Sequence, residues 1–121
     1  MSSKSVLILL HGDLGAGKTT LVSTIVKRYL PDAKPSSPTF NIINQYHDRV
    51  YHVDLYRIKD ESELENIGLR EILEGNNLVF IEWPCRASRI IASVSEAIPQ
   101  IKVHHIYIEV ISETERKYTL N

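Results

Sequence analysis

Gly12-Asp13-Leu14-Gly15-Ala16-Gly17-Lys18-Thr19 is the stretch that decides the fold, because it has the spacing G-x-x-x-x-G-K-[ST] of a phosphate-binding loop. The apolar residues 6–10 precede it, and a helical pattern begins at Lys18. The loop therefore joins a predicted buried strand to the N-terminus of a predicted helix. There the backbone N–H groups, the helix dipole and the Lys18 ammonium converge on an anion. The alternative is a glycine-rich turn that caps the helix without a ligand.

The composition is that of one soluble globular domain, which we predict to span residues 1–121. With 14 Lys and Arg against 15 Asp and Glu, the net charge is -1, and no basic run favours tight, unaided binding of nucleic acid. The single cysteine, Cys85, excludes an internal disulfide and fits a reducing compartment. The N-terminal apolar run is too short to span a membrane, so we expect a cytoplasmic protein without membrane association.

The apolar periodicity predicts alternating strands and helices along the chain. Helices are predicted over residues 18–30, 60–74 and 87–98, with a possible break at Gly68, and strands over residues 6–10, 39–46, 50–56, 78–81, 101–111 and 117–120. This order predicts an α/β, three-layer P-loop NTPase-like fold, with a mostly parallel central sheet and an antiparallel hairpin. Ligands of such sheets bind at the carboxyl ends of the strands. We therefore expect the loop, residues 54–57 and residues 82–83 to meet at one edge.

Two carboxylates are candidates for chemistry on a triphosphate, which needs magnesium and a positioned water molecule. Glu82 follows the apolar residues 78–81, where a Walker-B carboxylate would lie; the alternative is an exposed Glu at a strand end. Asp54 lies in a strand pattern that disfavours Asp, which indicates a specific partner. It either serves the metal or positions water, or it forms a structural ion pair, for example with Arg57. Thr19 offers its hydroxyl to the same metal ion.

Other polar and aromatic residues carry weaker signals. Thr39 follows a Pro-containing loop and is expected either to sense the γ-phosphate or simply to begin a strand. Trp83 is expected to stack on a base or on a partner, or to pack beneath the site. His104 and His105 are adjacent in a strand and point to opposite faces, so they do not favour a zinc site. Cys85 has no base assignable from sequence and is interpreted as a bystander thiol.

Four motifs in order resemble those of a known family. They are Gly12-Asp13-Leu14-Gly15-Ala16-Gly17-Lys18-Thr19-Thr20, Ser37-Pro38-Thr39-Phe40, His52-Val53-Asp54-Leu55-Tyr56-Arg57 and Ile81-Glu82-Trp83-Pro84. Together they resemble the TsaE family, the small ATPases of bacterial tRNA threonylcarbamoyladenosine formation. The resemblance covers nearly the whole chain and is far more specific than the phosphate loop alone.

The resemblance implies an ATPase that binds ATP with Mg²⁺ and hydrolyses it slowly. It also implies two partner proteins, which carry out threonylcarbamoyl transfer to the adenosine beside the anticodon. The transfer chemistry belongs to these partners, so tRNA is expected to be reached only indirectly through the complex. ATP binding and turnover would then change the conformation of residues 37–40 and reset the partner complex.

The resemblance also assigns residues. Lys18 would lie between the β- and γ-phosphates, Asp54 and Glu82 would join it in catalysis, and Arg116 matches a late arginine that contacts the nucleotide. The metal would be served by Thr19, Glu82 and Asp54. The full expected nucleotide-binding set is Asp13, Leu14, Gly15, Ala16, Gly17, Lys18, Thr19, Thr20, Thr39, Trp83 and Arg116.

Two features depart from the family pattern. Family members usually carry a segment ahead of the first strand that helps to form the nucleotide site, whereas here the strand begins within a few residues of Met1. This departure affects the expected base pocket. Cys85-Arg86 follows Trp83-Pro84 where a more acidic continuation is typical, so the partner contact there is expected to differ.

Two further functions remain open from the sequence. A small-molecule kinase would use the same loop, but it would need an acceptor pocket and usually an arginine-bearing lid, and residues 60–75 supply only Arg70. A nucleotide-binding module without turnover is the second alternative, which the short N-terminus leaves open. A GTPase is disfavoured because the sequence has no N-K-x-D motif.

Overall fold

The computed structural model describes residues 4–13, 15–33 and 42–121. The predictions for Leu14 and Thr39, and the beginning of the strand predicted over residues 39–46, lie outside these ranges. The elements in chain order are β1 (Val6–His11), α1 (Lys18–Tyr29), β2 (Ile43–His47), β3 (Val50–Asp54), α2 (Ser62–Asn66), α3 (Leu69–Glu74), β4 (Leu78–Glu82), α4 (Ser88–Ala97), β5 (Lys102–Val110) and β6 (Arg116–Leu120). None of the helices in these ranges combines the length and the apolar character needed to cross a bilayer.

The six strands form one sheet in the order β2-β3-β4-β1-β5-β6. The central pairs β3–β4, β4–β1 and β1–β5 are parallel, while the outer pairs β2–β3 and β5–β6 are antiparallel. This arrangement confirms the predicted α/β fold with a mostly parallel sheet and an antiparallel hairpin. Because β1 lies between two parallel neighbours, the loop that follows it opens at the carboxyl edge of the sheet, where β3 and β4 also end.

Helices cover both faces of the sheet, as the alternation within the apolar strands predicts. On one face, α1 packs over a small cluster formed by Leu10, Val22, Val26 and Phe80. On the other face, α2, α3 and α4 pack over a larger cluster that includes Leu7, Leu9, Leu64, Leu73, Val79, Ile81 and Val94. Leu9 and Leu10 therefore serve opposite faces, and the central strands are apolar on both sides because both sides are covered.

Two local features differ from or refine the predicted elements. The strand predicted over residues 50–56 ends at Asp54, because Asp54 Oδ1 accepts a hydrogen bond from the backbone N–H of Tyr56 at 3.1 Å and bends the chain into a turn. Tyr56 is consequently 41% exposed. The predicted helix over residues 60–74 is interrupted at Gly68, whose φ of +81° lies in the left-handed region. The interruption divides the predicted helix into α2 and α3.

We predict that Leu64→Ala lowers the free energy of unfolding by about 2–5 kcal/mol, because Leu64 is fully buried in the larger cluster and its truncation leaves a cavity. The control Tyr29→Ala removes a side chain that is 75% exposed and should change stability by about 0.5 kcal/mol or less. Urea unfolding measures both values. Equal losses for the two variants would contradict the packing of α2 described above.

Candidate functional site

The backbone of the loop requires glycine at specific positions. Gly17 precedes the first residue of α1 with φ of +99°, a left-handed conformation in which a side chain would be strained. A Cβ added to Gly12 would lie 2.9 Å from the carbonyl oxygen of Ile108 and 3.1 Å from Cβ of Ala16. The start of the loop therefore packs tightly against β5.

Lys18 is folded inward over this loop. Lys18 is only 5% exposed. Its Nζ donates to the carbonyl oxygen of Gly12 at 2.5 Å and lies 3.4 Å from the carbonyl oxygen of Asp13. The ammonium also lies 4.0 Å from the centre of the Trp83 ring. A buried ammonium is costly without such partners, so the carbonyl groups and the indole face together stabilise its charge. The result is a positive charge held at the centre of the loop.

Glu82 is buried rather than exposed at its strand end, with an exposure of 3%. Its Oε2 accepts a hydrogen bond from Thr19 Oγ1 at 2.6 Å, and Nε2 of His52 lies 2.6 Å from the same oxygen. The parallel register explains why Thr19 and His52 lie near Glu82. Glu82 aligns with Leu10 of β1, which leads into the loop before Thr19, and with Asp54 of β3, which is two residues after His52. The carboxylate is thus joined to the first turn of α1 and to β3.

The surroundings of Glu82 favour its charged form. Burial alone would raise its pKa, but the hydrogen bonds from His52 and Thr19 and the electrostatic interactions with His52 and Lys18 outweigh burial and lower the pKa below its ordinary value of 4.5. Glu82 is therefore a carboxylate at neutral pH, and the ring nitrogen of His52 that faces it donates the hydrogen bond. An ionised, hydrogen-bonded oxygen beside a threonine hydroxyl can bind a hard cation.

The groups expected at the carboxyl edge surround one cavity of about 300 Å³. The residues that line it are Gly15, Gly17, Lys18, Thr19, Thr20, Asp54, Tyr56, Glu82 and Trp83. Asp54 lies beside Glu82 in the parallel register and uses Oδ1 to accept from the backbone of Tyr56. The structure thus brings both candidate carboxylates, the lysine and the threonine hydroxyl to one cavity, as their positions in the predicted strands and loop indicate.

Trp83 forms one wall of this cavity. Its backbone has φ of +58° and ψ of +52°, a left-handed conformation that is unusual for a large residue, and a short 3₁₀ turn, Pro84–Ala87, follows it. The conformation turns the chain sharply at the end of β4, and the indole faces the Lys18 ammonium and the Tyr56 ring, whose centre is 5.1 Å away. Trp83 also packs against the larger apolar cluster. It therefore serves the core and lines the cavity at once.

Arg116 brings the last hairpin to the loop. Its Nε donates to the carbonyl oxygen of Ala16 at 3.1 Å, and its Nη1 donates to the carbonyl oxygen of Ser112 at 2.8 Å. Local sequence chemistry alone would make Arg116 a solvated turn residue, and only the family resemblance assigned it to the site. The structure places the guanidinium against the phosphate loop, at the side opposite Glu82 in the strand order.

Histidines are the residues that the sequence reasoning missed. His52 is 3% exposed and contacts Glu82, although the sequence indicated it only as the first residue of the motif that contains Asp54. His11 and His105 lie on adjacent strands with Nε2 and Nδ1 2.9 Å apart, and burial, His105 and Lys18 lower the pKa of His11. The contact between His52 and Glu82 could not be predicted from the spacing of the strands alone, because it depends on the register between β3 and β4.

The donor set at the cavity fits a magnesium ion that arrives with a phosphate ligand. Within residues 4–13, 15–33 and 42–121, no three His, Cys, Asp or Glu side chains cluster closely enough to hold a metal by themselves. Thr19, Glu82 and Asp54 nevertheless offer hard oxygen donors at the cavity. Magnesium in nucleotide sites is typically bound by one or two carboxylates together with phosphate oxygens, so the set is suited to this ion.

Comparison with known proteins gives consistent matches. The family model described as threonylcarbamoyl adenosine biosynthesis protein TsaE matches residues 1–118. The tRNA threonylcarbamoyladenosine biosynthesis protein TsaE of Rickettsia felis is 40% identical over 114 residues, which cover 91% of this chain and 61% of that protein. The Bacillus subtilis protein of the same name is 36% identical over 116 residues, covering 93% of this chain and 67% of that protein.

Another relative and a solved structure extend the comparison. The Haemophilus influenzae protein with the same description is 36% identical over 85 residues, covering 68% of this chain and 54% of that protein. The chain thus spans between 54% and 61% of the length of the Haemophilus influenzae and Rickettsia felis relatives. The crystal structure of Bacillus subtilis YdiB superposes with a TM-score of 0.63 at 27% identity, covering 99% of this chain and 70% of that one.

We predict that Glu82 makes stability depend on pH in the acid range. Because folding lowers its pKa from 4.5, the ionised carboxylate stabilises the fold above that pH, and this contribution disappears as the pH falls through the lower folded-state value. The stability advantage of the native chain over Glu82→Gln should therefore shrink with acidification. Urea unfolding at several pH values measures the difference.

The matched control for this experiment is Glu113→Gln, which removes an exposed carboxylate in the turn between β5 and β6. Its stability curve should run parallel to that of the native chain across the same pH range. If Glu82→Gln also ran parallel, the carboxylate would not be held in its charged form by Thr19 and His52.

Proposed function

The chain belongs to the TsaE family, and on that premise we propose that it is a magnesium-dependent ATPase that supports formation of threonylcarbamoyladenosine in tRNA. The observation that carries the proposal is the convergence of Lys18, Thr19, Asp54 and Glu82 on one cavity beside the phosphate loop. The names of the relatives supply the pathway, since they are described as tRNA threonylcarbamoyladenosine biosynthesis proteins.

The loop would hold the phosphates of ATP through its backbone and Lys18. The Lys18 ammonium donates to the carbonyl oxygen of Gly12 and lies over the Trp83 ring. A phosphate oxygen carries more negative charge than a peptide carbonyl oxygen, so it would compete effectively for the same ammonium. Gly15, Gly17 and the first turn of α1 line the cavity on the side where backbone N–H groups are available.

Thr19, Glu82 and Asp54 would hold the magnesium ion. When bound there, the ion would supply positive charge that neutralises the charge developing on the phosphate oxygens. In this chain, Thr19 Oγ1 donates to Glu82 Oε2 at 2.6 Å, so oxygens of both side chains are close enough together to contact one ion. Asp54 lies beside Glu82 but is less buried, which suits a group that orients a water molecule at the open side of the cavity.

We infer partner dependence from the family to which the chain belongs. The residues that line the cavity come only from the loop, the start of α1 and the carboxyl ends of β3 and β4, so a partner can cover its open side. We propose that the two threonylcarbamoyl-transfer proteins of the pathway are its partners in the cytoplasm and that tRNA is reached only through them. The net charge of -1 agrees with weak tRNA binding by the isolated chain. The proposed response of Thr39 to the γ-phosphate stays a prediction, because Thr39 lies outside the described residues.

The kinase alternative gains no support from the one arginine that could have supplied a lid. Arg70 is on α3, where Nε and Nη2 donate to Glu65 Oε1 at 3.2 and 3.1 Å and Nη1 donates to Ser93 at 3.2 Å. These contacts hold α2, α3 and α4 together on the face of the sheet away from α1. A binding module without turnover remains the competing proposal, and loss of hydrolysis in the variants below separates it from an ATPase.

We predict that Lys18→Ala lowers affinity for magnesium-ATP by about 10-fold to 100-fold, the range for losing a hydrogen bond from a charged group. The control Lys27→Ala changes an exposed lysine on the same helix and should bind as the native chain does. Isothermal titration with ATP and magnesium measures both. Native affinity in Lys18→Ala would contradict the assignment of the cavity to the phosphates.

We predict that Asp54→Asn, which keeps one side-chain oxygen as a donor to magnesium, leaves ATP affinity within about threefold but lowers hydrolysis by roughly 100-fold, as expected for loss of a positioned base or water-orienting group. The assay contains the two partner proteins, because turnover by the chain alone is expected to be slow. Asp48→Asn, which changes an exposed turn residue, is the control. Unchanged hydrolysis in Asp54→Asn would remove Asp54 from the mechanism, and no hydrolysis by the native chain would favour the binding module.

A further inference from the structure

A buried imidazole lies directly behind the carboxylate of the proposed metal site. His52 is on β3, two residues before Asp54, and it is 3% exposed. Its Nε2 is 2.6 Å from Glu82 Oε2. A buried polar ring is stable only when it is hydrogen-bonded, so this contact accounts for a histidine at an otherwise apolar position. The proposed function as stated above gives His52 no role.

The same carboxylate oxygen receives two donors from separate elements. Thr19 reaches Glu82 Oε2 from the first turn of α1, and His52 reaches it from β3. A glutamate has three side-chain torsions, and a single hydrogen bond leaves several combinations of them available. Two donors that are fixed to different elements restrict these combinations. Glu82 therefore has a defined position before any ligand binds.

His52 is itself held firmly in place. β3 lies between β2 and β4, with His52 aligned to Asn44 on one neighbour and to Phe80 on the other. The Tyr46 ring is stacked near the imidazole, with ring centres 6.2 Å apart and planes inclined by 19°. A central strand and an aromatic neighbour leave the imidazole little room to swing away, so it acts as a rigid donor.

We propose that His52 is a positioning residue that holds Glu82 Oε2 against the Thr19 hydroxyl, so that both groups are arranged in advance for the metal-bound triphosphate. The inference rests on the proposed function, because it concerns the same site. His52 touches neither the cavity nor a reacting atom; it acts through Glu82. Preorganisation of this kind lowers the cost of ordering the site when the ligand binds.

Two amide substitutions test the contact because they differ in reach and not in chemistry. In His52→Gln the side-chain nitrogen can occupy roughly the position of imidazole Nε2 and donate to Glu82. In His52→Asn the amide nitrogen takes the position of imidazole Nδ1, and the side chain is too short to bring it to Glu82. His47→Asn, which changes an exposed histidine in the same hairpin, is the control for the substitution itself.

The first measurement is ATP affinity with EDTA and then with magnesium. For the native chain and His52→Gln, magnesium should strengthen binding, whereas His52→Asn should lose about tenfold of that gain, equivalent to one hydrogen bond to a charged group. Affinity in EDTA should stay within about twofold for all variants, because the loop and Lys18 are unchanged. An identical magnesium gain in His52→Asn and the native chain would overturn the proposal. So would equal losses in Asn and Gln, since they would indicate a purely structural role.

The second measurement needs neither nucleotide nor metal. Urea unfolding of His52→Asn, Glu82→Gln and the double variant should give non-additive effects, with a coupling of about tenfold in the unfolding constant. Additive effects would overturn the contact between His52 and Glu82, and they would do so whether or not the native chain binds ATP. If the native chain bound no ATP in EDTA or magnesium, the proposed function would fall, and with it the role of His52 toward the triphosphate.

Discussion

Two hydrogen bonds to one oxygen of Glu82 hold together the three elements on which the site depends. The oxygen belongs to the end of β4, and its donors are Thr19 at the start of α1 and His52 on β3. A charged carboxylate that is 3% exposed is stable only with such partners. The phosphate loop, which ends at Thr19, and the strand that carries Asp54 are therefore fixed relative to each other by the same buried charge.

The remaining charges of the site are satisfied by the loop itself. Lys18 donates to the carbonyl oxygen of Gly12 and lies on the ring of Trp83, while Arg116 donates to the carbonyl oxygen of Ala16. Each of these two cations therefore has an acceptor within the folded chain. In the proposed function, a phosphate ligand would exchange a neutral acceptor of Lys18 for a charged one, so binding would strengthen an interaction that this ammonium already makes.

Much of the site follows from strand ends, which sequence patterns locate well. The apolar residues 78–81 mark a covered strand, and parallel neighbours end at the same edge, so Glu82 and Asp54 could be placed near the loop in advance. The exact end of β3 was less accessible to such reasoning. Asp54 accepts a hydrogen bond from the backbone of Tyr56 and stops the strand, and this local competition is not visible in an alternating pattern.

From the sequence alone came the fold class, the phosphate loop and the two carboxylates at the sheet edge, because each depends on spacing along the chain. Only the tertiary structure showed what His52, Trp83 and Arg116 contact. His52 lies 30 residues from Glu82 and Arg116 lies 100 residues from Ala16, so their contacts depend on the register of the sheet and the path of the last hairpin. Strand register is set by packing of the whole core, which no local stretch contains.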